Sequence, residues 1–341
     1  MNLNSPKKEN HLFLVRNLLS LKASNAIKEL EGIGNYLDLY LGDFDANFKT
    51  LRNNAIDKRK LTCFKSFKYK GSLLNYFLDI LAYKKDVRKF LLDKKVTNVY
   101  ITNPIHLNSS VFYSEAKKLN IKIAFFEEGI CFYRGLESEQ YKKRSLKNKF
   151  KRWLHNLYGI YQGYDKEPDT WYSSLDFYQE SKKIKLKYNI VESARDINYL
   201  FLSRPASDDF SGISISDEIK AIKAFYREVV VDENLLFIKF HPRENTCKRE
   251  KIISGLKKER VNVEELKCQE SSEDVVYSMK SGCVAGYETT TLVYCESINS
   301  KINVYSVADF VAEKDISRTI SDFIVFYKKN FNHIKYIKDI K

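Results

Sequence analysis

Ile121-Lys122-Ile123-Ala124-Phe125-Phe126-Glu127-Glu128-Gly129 is a β-rich apolar run that stops at two carboxylates and a turn-forming glycine. It reads as a buried strand leading into a turn. The same pattern recurs at His11 to Val15, Val96 to Thr102, Tyr199 to Ser203, Leu235 to Phe240, Gly282 to Gly286 and Ile302 to Ser306, with longer helical stretches following. Strand-then-helix alternation implies parallel sheets with helices on both faces. These strands form two groups, separated by a polar, aromatic, helix-like region from Lys142 to about Asp196. The expected fold class is α/β, with two doubly wound, Rossmann-like domains facing a central cleft. The expected divisions are residues 1–190, 191–320 and a terminal helix over 321–341 that packs back on the N-terminal domain.

In open α/β sheets ligands bind at the carboxyl ends of the strands, so functional residues should lie just after them. Adjacent carboxylates repel, and such repulsion is one way to make a usable general base near neutral pH. Glu127 and Glu128 therefore form a candidate catalytic pair, with an ordinary acidic surface loop as the alternative. The run Leu235 to Phe240 delivers Lys239, His241, Pro242 and Arg243 together at its carboxyl end. Proline fixes the turn after the histidine. His241 is placed to donate to, or protonate, a leaving phosphate, while Lys239 and Arg243 neutralise its charge. Tyr287-Glu288-Thr289-Thr290-Thr291 opens a helix with three hydroxyls, which together with free backbone N–H groups make an anion site. N-capping alone accounts for one or two of these threonines. Ser203 and Arg204 follow the run at Tyr199 and are expected to face the same cleft, with an ordinary polar loop as the alternative.

At 341 residues, 44% hydrophobic and 14% aromatic, the chain has enough apolar surface for two cores. The six cysteines show no C-x-x-C pair and no zinc-finger histidine spacing, which points to reduced thiols. The first ten residues turn polar before any long apolar stretch, and Leu73 to Tyr83, broken by Asp79, falls short of the roughly 18 residues that span a membrane. A cytoplasmic chain is expected. No G-x-x-x-x-G-K-[ST], G-x-G-x-x-G or G-x-S-x-G motif is present. Asp43-Phe44-Asp45 is too loose a pattern to count as a metal site. The net charge of +14 is concentrated at Lys142, Lys143, Arg144, Lys147, Lys149, Lys151 and Arg152, followed by Trp153, Leu154, Leu157 and Tyr158. Such a segment suits an anionic membrane face or an anionic polymer, the plain alternative being a solvated basic helix or loop.

In order, Glu127-Glu128-Gly129, Leu202-Ser203-Arg204-Pro205, Lys239-Phe240-His241-Pro242-Arg243 and Tyr287-Glu288-Thr289-Thr290 resemble bacterial sialyltransferases. The nearest likeness is to lipooligosaccharide sialyltransferases and capsular polysialyltransferases, over roughly Val96 to Ser306. These share a D/E-D/E-G motif, an H-P motif and a later Ser/Thr motif on a GT-B fold. Two positions depart from the pattern: threonine at 289 and 290 where serine is common, and Arg204 where a neutral residue is usual. The resemblance implies CMP-sialic acid as donor and inverting transfer to a sugar hydroxyl, with no metal and no other cofactor. It implies a carboxylate, with Glu127 favoured, as base, and His241 with the Thr289-Thr290 helix start around the departing phosphate. Ser203, Arg204, Lys239, Pro242, Arg243, Thr289 and Thr290 are the implied nucleotide-sugar contacts.

The expected partners are a CMP-sugar donor, an anionic glycan acceptor, the inner face of the cytoplasmic membrane and other capsule or lipooligosaccharide assembly proteins. No nucleic-acid signature is present. Rival readings are a CMP-Kdo transferase, a CDP-glycerol glycerophosphotransferase of surface-polymer synthesis, or a non-catalytic polyanion-binding protein.

Overall fold

The structure is a computed structural model that describes residues 9–42, 45–67, 73–130, 132–133, 153, 155–160, 167–176 and 180–337. The chain divides into two compact units between Lys187 and Tyr188.

The first unit contains β1 (His11–Val15), α1 (Leu18–Leu30), β2 (Tyr36–Tyr40), α2 (Asp45–Asn54), β3 (Leu61–Cys63), α3 (Leu73–Asp93), β4 (Asn98–Ile101), α4 (Leu107–Lys118), β5 (Lys122–Phe126), β6 (Thr170–Ser173) and β7 (Lys182–Lys183). The sheet order is β3-β2-β1-β4-β5-β6-β7, and every neighbouring pair is parallel. The central strand β1 buries Leu12, Phe13, Leu14 and Val15 completely, as expected of a strand covered on both faces. Beside it, β2 carries Asp38 into the interior, where Lys28 of α1 meets its carboxylate at 2.7 Å. The expectation of a helix-like separator from Lys142 to about Asp196 is corrected. Within its described part, Thr170–Ser173 and Lys182–Lys183 extend the first sheet, because Ala124, Phe125 and Phe126 pair with Thr170, Trp171 and Tyr172.

The second unit contains β8 (Tyr199–Leu202), α5 (Ile215–Val229), β9 (Leu236–Lys239), α6 (Thr246–Lys258), β10 (Val263–Glu265), α7 (Ser272–Ser278), β11 (Gly282–Gly286), α8 (Thr290–Ile298), β12 (Ile302–Ser306), α9 (Thr319–Asn330) and β13 (Ile334–Tyr336). Its order is β10-β9-β8-β11-β12-β13, again parallel throughout. Ser214 caps α5 in a reciprocal box with Asp217, and Asn245 caps α6 directly after the His241 turn. The expectation of a lone terminal helix over 321–341 is also corrected. Helix α9 is followed by β13, where Ile334 pairs with Val304 and Tyr336 with Ser306, so residues 319–337 belong to the second unit.

In both sheets the strand order reverses beside the first strand, between β1 and β4 and between β8 and β11. Loops leaving adjacent strands in opposite directions open a crevice at that point, the usual ligand position in doubly wound sheets. Backbone spacing fixes one residue at the amino end of β11. Gly282 has φ of +130°, and a Cβ there would lie 2.2 Å from the Asn198 carbonyl. Gly282→Ala is therefore expected to lower stability by roughly 1–3 kcal/mol, read as a lower urea midpoint at unchanged slope.

Candidate functional site

In the first unit, β5 delivers Glu127 and Glu128 at its carboxyl end with opposite environments. Glu127 is 0% exposed, and its carboxylate accepts from the Tyr133 hydroxyl. Glu128 is half-buried: Oε1 accepts from Asn103 Nδ2 at 2.7 Å and its carbonyl accepts from Asn17 Nδ2 at 2.9 Å. Gly129 sits at φ +128°, a region that favours glycine, and its carbonyl accepts from the Phe132 N–H at 3.0 Å. Asn17 also caps α1 through Oδ1. The loops after β1, β4 and β5 thus meet at the switch point through this turn. Sequence reasoning missed Asn17 and Asn103, although each stands two residues after a buried strand, where β1 ends at Val15 and β4 at Ile101.

In the second unit, His241-Pro242-Arg243-Glu244 closes as a turn, with the Glu244 N–H donating to the His241 carbonyl at 2.9 Å. Proline stands at the second position, where its fixed φ suits such turns. Glu244, 2% exposed, holds the turn from behind: Oε2 accepts from the His241 N–H at 2.7 Å and Oε1 from Ser203 Oγ at 2.9 Å. Burial pushes its carboxyl up despite these donors. Lys248 lies 3.7 Å from Glu244, 2.9 Å from Glu218 and 3.1 Å from Asp208, so this buried acid belongs to a charged network. Ser203, expected as a ligand contact, is a strut between β8 and the histidine turn.

The arginines are also engaged. Arg243 makes a bidentate pair with Asp209, both contacts at 2.8 Å. Arg204 lies 3.8 Å from Asp209 and 3.5 Å from Glu288, with its guanidinium 4.6 Å from the centre of the Phe210 ring. Burial, with Arg243 and then Arg204 adding positive potential against Asp209, pushes His241 down to about 4. Lys239 donates to the Cys268 carbonyl and Sγ, each at 3.2 Å, leaving Arg243 and Arg204 as the cations that bear on the histidine.

After β11 the three threonines divide. Thr291 donates to Glu273 at 2.8 Å, while Thr289, the N-cap of α8, has a buried hydroxyl with no hydrogen-bond partner among the described residues. Thr290 begins the helix. Tyr327 of α9 donates to the Thr289 carbonyl at 3.1 Å and ties the last helix to this turn. Glu288, 5% exposed, has neither oxygen hydrogen-bonded among the described residues. Burial pushes its carboxyl up to about 7, with Arg204 opposing. Its position directly after a strand was a signal that sequence reasoning passed over.

Lys142, Lys143, Arg144, Lys147, Lys149, Lys151 and Arg152 lie outside the described residues, as do Asp43 and Phe44. A cavity of about 460 Å³ opens at the amino edge of the first sheet, lined by His11, Tyr100, Tyr172 and Glu31 among others. It lies at the strand starts, opposite the acidic turn. The carboxyl edge carries the uncommitted groups, and we place the candidate site there.

Glu288 makes stability depend on pH. Its folded value near 7 against 4.5 unfolded means the folded state holds the proton more tightly, so its stabilising contribution is full below about pH 4.5 and lost as pH rises through 7. At about 1.4 kcal/mol per unit this is about 3 kcal/mol. Urea midpoints of wild type relative to Glu288→Gln should fall over that window, and parallel curves would contradict it.

The family model for alpha-2,8-polysialyltransferase matches residues 11–308. No curated relative matches the sequence. Among solved structures, UDP-GlcNAc 2-epimerase from Methanocaldococcus jannaschii is similar at 14% identity and TM-score 0.52, covering 94% of this chain and 92% of that one. MurG from Acinetobacter baumannii is similar at 11% identity and TM-score 0.53, covering 96% and 86%. A UGT transferase from Siraitia grosvenorii in complex with UDP follows at 9% identity and TM-score 0.51, covering 96% and 93%. At these identities the likeness is one of fold, the GT-B class of two Rossmann-like domains with parallel sheets. No helix among the described residues is long and apolar enough to cross a membrane. Motif order, fold and family match agree: the chain belongs to the alpha-2,8-polysialyltransferase family and is a glycosyltransferase, acting between a nucleotide-sugar donor and a glycan acceptor.

Proposed function

We propose that the protein transfers sialic acid from CMP-sialic acid to a sugar hydroxyl of an anionic glycan, with inversion and without a metal. The carrying observation is the second unit's carboxyl edge, where His241, Arg204, Arg243 and the Thr289 helix start gather. Hydrogen-bond donors and fixed positive charge are what a departing phosphate needs. The chain's own cations thereby supply the countercharge.

The first unit supplies the base in this reading. Glu128 already has a structural task, joining the β4 and β5 loops through Asn103. Glu127 has been buried, which is costly for a carboxylate and calls for a function. It takes the acceptor proton as the sugar becomes oxocarbenium-like, while Tyr133 orients it. The seven cations from Lys142 to Arg152 draw in the anionic acceptor or hold the protein at the inner membrane face.

Purified protein should release CMP from CMP-sialic acid in the presence of acceptor, and a preference for CMP-Kdo or CDP-glycerol would overturn the donor assignment. Glu127→Gln is expected to lower kcat by about 100-fold or more and Glu128→Gln by about 10-fold or less. The opposite ranking would move the base to Glu128. Replacing the seven cations by Gln should raise KM for long acceptors more than for short ones, or release the protein from anionic vesicles. No change in either removes both roles.

A further inference from the structure

The two ring nitrogens of His241 are not equivalent. Nδ1 lies 3.2 Å from the backbone N of Arg243, whose hydrogen points at it. A backbone N–H only donates, so Nδ1 must present its lone pair and the ring proton sits on Nε2. In an imidazolium both ring nitrogens carry protons, and N–H would be set against N–H at this contact.

The contact is imposed by a turn with little freedom. Pro242 fixes one dihedral, the Glu244 N–H closes the turn onto the His241 carbonyl, and the Glu244 carboxylate takes both the His241 N–H and Ser203 Oγ. The cations around the ring act in the same direction. Arg243 on the turn and Arg204 from the β8 loop raise the local potential, with Asp209 offsetting them in part, and Arg249 reaches the His241 carbonyl at 3.5 Å. Glu288 from the β11 loop faces Arg204, and Lys248 of α6 compensates Glu244 together with Glu218 and Asp208.

We propose that His241 meets the departing phosphate as a neutral Nε2–H hydrogen-bond donor and delivers no proton, with Glu244 as the positioning residue that keeps Nδ1 on the Arg243 N–H. This rests on the sialyl-transfer reading above. The chemistry balances without a proton from the histidine. The bond from the anomeric carbon to the phosphate oxygen breaks and its electron pair stays on that oxygen. The acceptor oxygen forms the new bond, and the acceptor proton goes to Glu127. A phosphate monoester has its second pKa near about 6, so CMP leaves as a stable dianion at neutral pH. The arginines, the helix start and one neutral donor serve it as well as an acid would. Burial and the two arginines, which hold the imidazole near 4, agree with this role.

The full chain, labelled with 15N-histidine, allows a test independent of turnover. NMR should show His241 neutral and protonated on Nε2 from about pH 8 down to about pH 5.5, with and without CMP. An imidazolium at neutral pH overturns the proposal. In kinetics, a group that must carry a proton loses activity as pH rises through its pKa, whereas this one loses it only as pH falls towards 4. The His241-dependent part of kcat should therefore not decline between about pH 6 and 8. His241→Gln, whose amide donates from the Nε2 position but cannot protonate, should keep about a tenth or more of kcat, while His241→Ala loses about 100-fold. Equal loss in both overturns the proposal. Glu244→Ala should lower kcat with little change in KM, and Glu244→Gln, which keeps an acceptor for the His241 N–H, should restore most of kcat. An unchanged kcat in a folded Glu244→Ala, or no rescue by Glu244→Gln, removes its positioning role. Failure of the wild type to release CMP with acceptor would instead refute sialyl transfer, leaving the NMR result to judge the histidine.

Discussion

Parallel pairing is the constraint on which the rest of the molecule depends. Every described strand in each sheet runs the same way. Each returns through a crossover that covers a face, so the inner strands are apolar on both sides and cannot carry function along their length. Chemistry is thereby exported to the loops at the carboxyl edge. Strand ends at Val15, Ile101 and Phe126 lead to Asn17, Asn103 and Glu127-Glu128, and ends at Leu202, Lys239 and Gly286 lead to Arg204, His241 and Glu288. Each short turn lies at the carboxyl edge of its own sheet because the sheet leaves it few other places to be.

Several charged groups enter the interior in partnership. Lys28 and Asp38 neutralise each other between α1 and β2, and Lys248 meets Glu218, Glu244 and Asp208 behind the histidine turn. Breaking such a pair exposes an uncompensated charge to a low dielectric, which costs far more than the pair contributes. Glu288 differs, since its nearest cation stands at 3.5 Å and its oxygens have no donor among the described residues. That imbalance sets it apart from the paired charges of the scaffold.

The inner strands were legible because short β-rich runs end at turn or helix signals. His11–Val15, Gly282–Gly286 and Ile302–Ser306 coincide with observed strands end for end. β2 was not, because Asp38 breaks its run and only the tertiary partner Lys28 makes that acid tolerable inside. Short edge strands such as β7 and β13 are too brief and too exposed to carry a pattern, and pairing alone defines them. At the site, residue types were readable but their loyalties were not. Ser203 braces Glu244, Lys239 turns to Cys268, and Thr291 answers to Glu273, because hydrogen-bond partners distant in sequence decide where each side chain points.

Arg243 and Arg204 do not wait as bare cations. Asp209 grips the first with two contacts, and Asp209 and Glu288 flank the second. On the proposed reading, an incoming phosphate trades places with a resident carboxylate, and the net gain is the difference between two ion pairs. The displaced carboxylate stays tethered beside its arginine at a high effective concentration. It also gives the spent nucleotide a ready competitor, so that the protein itself helps to empty the pocket between turnovers.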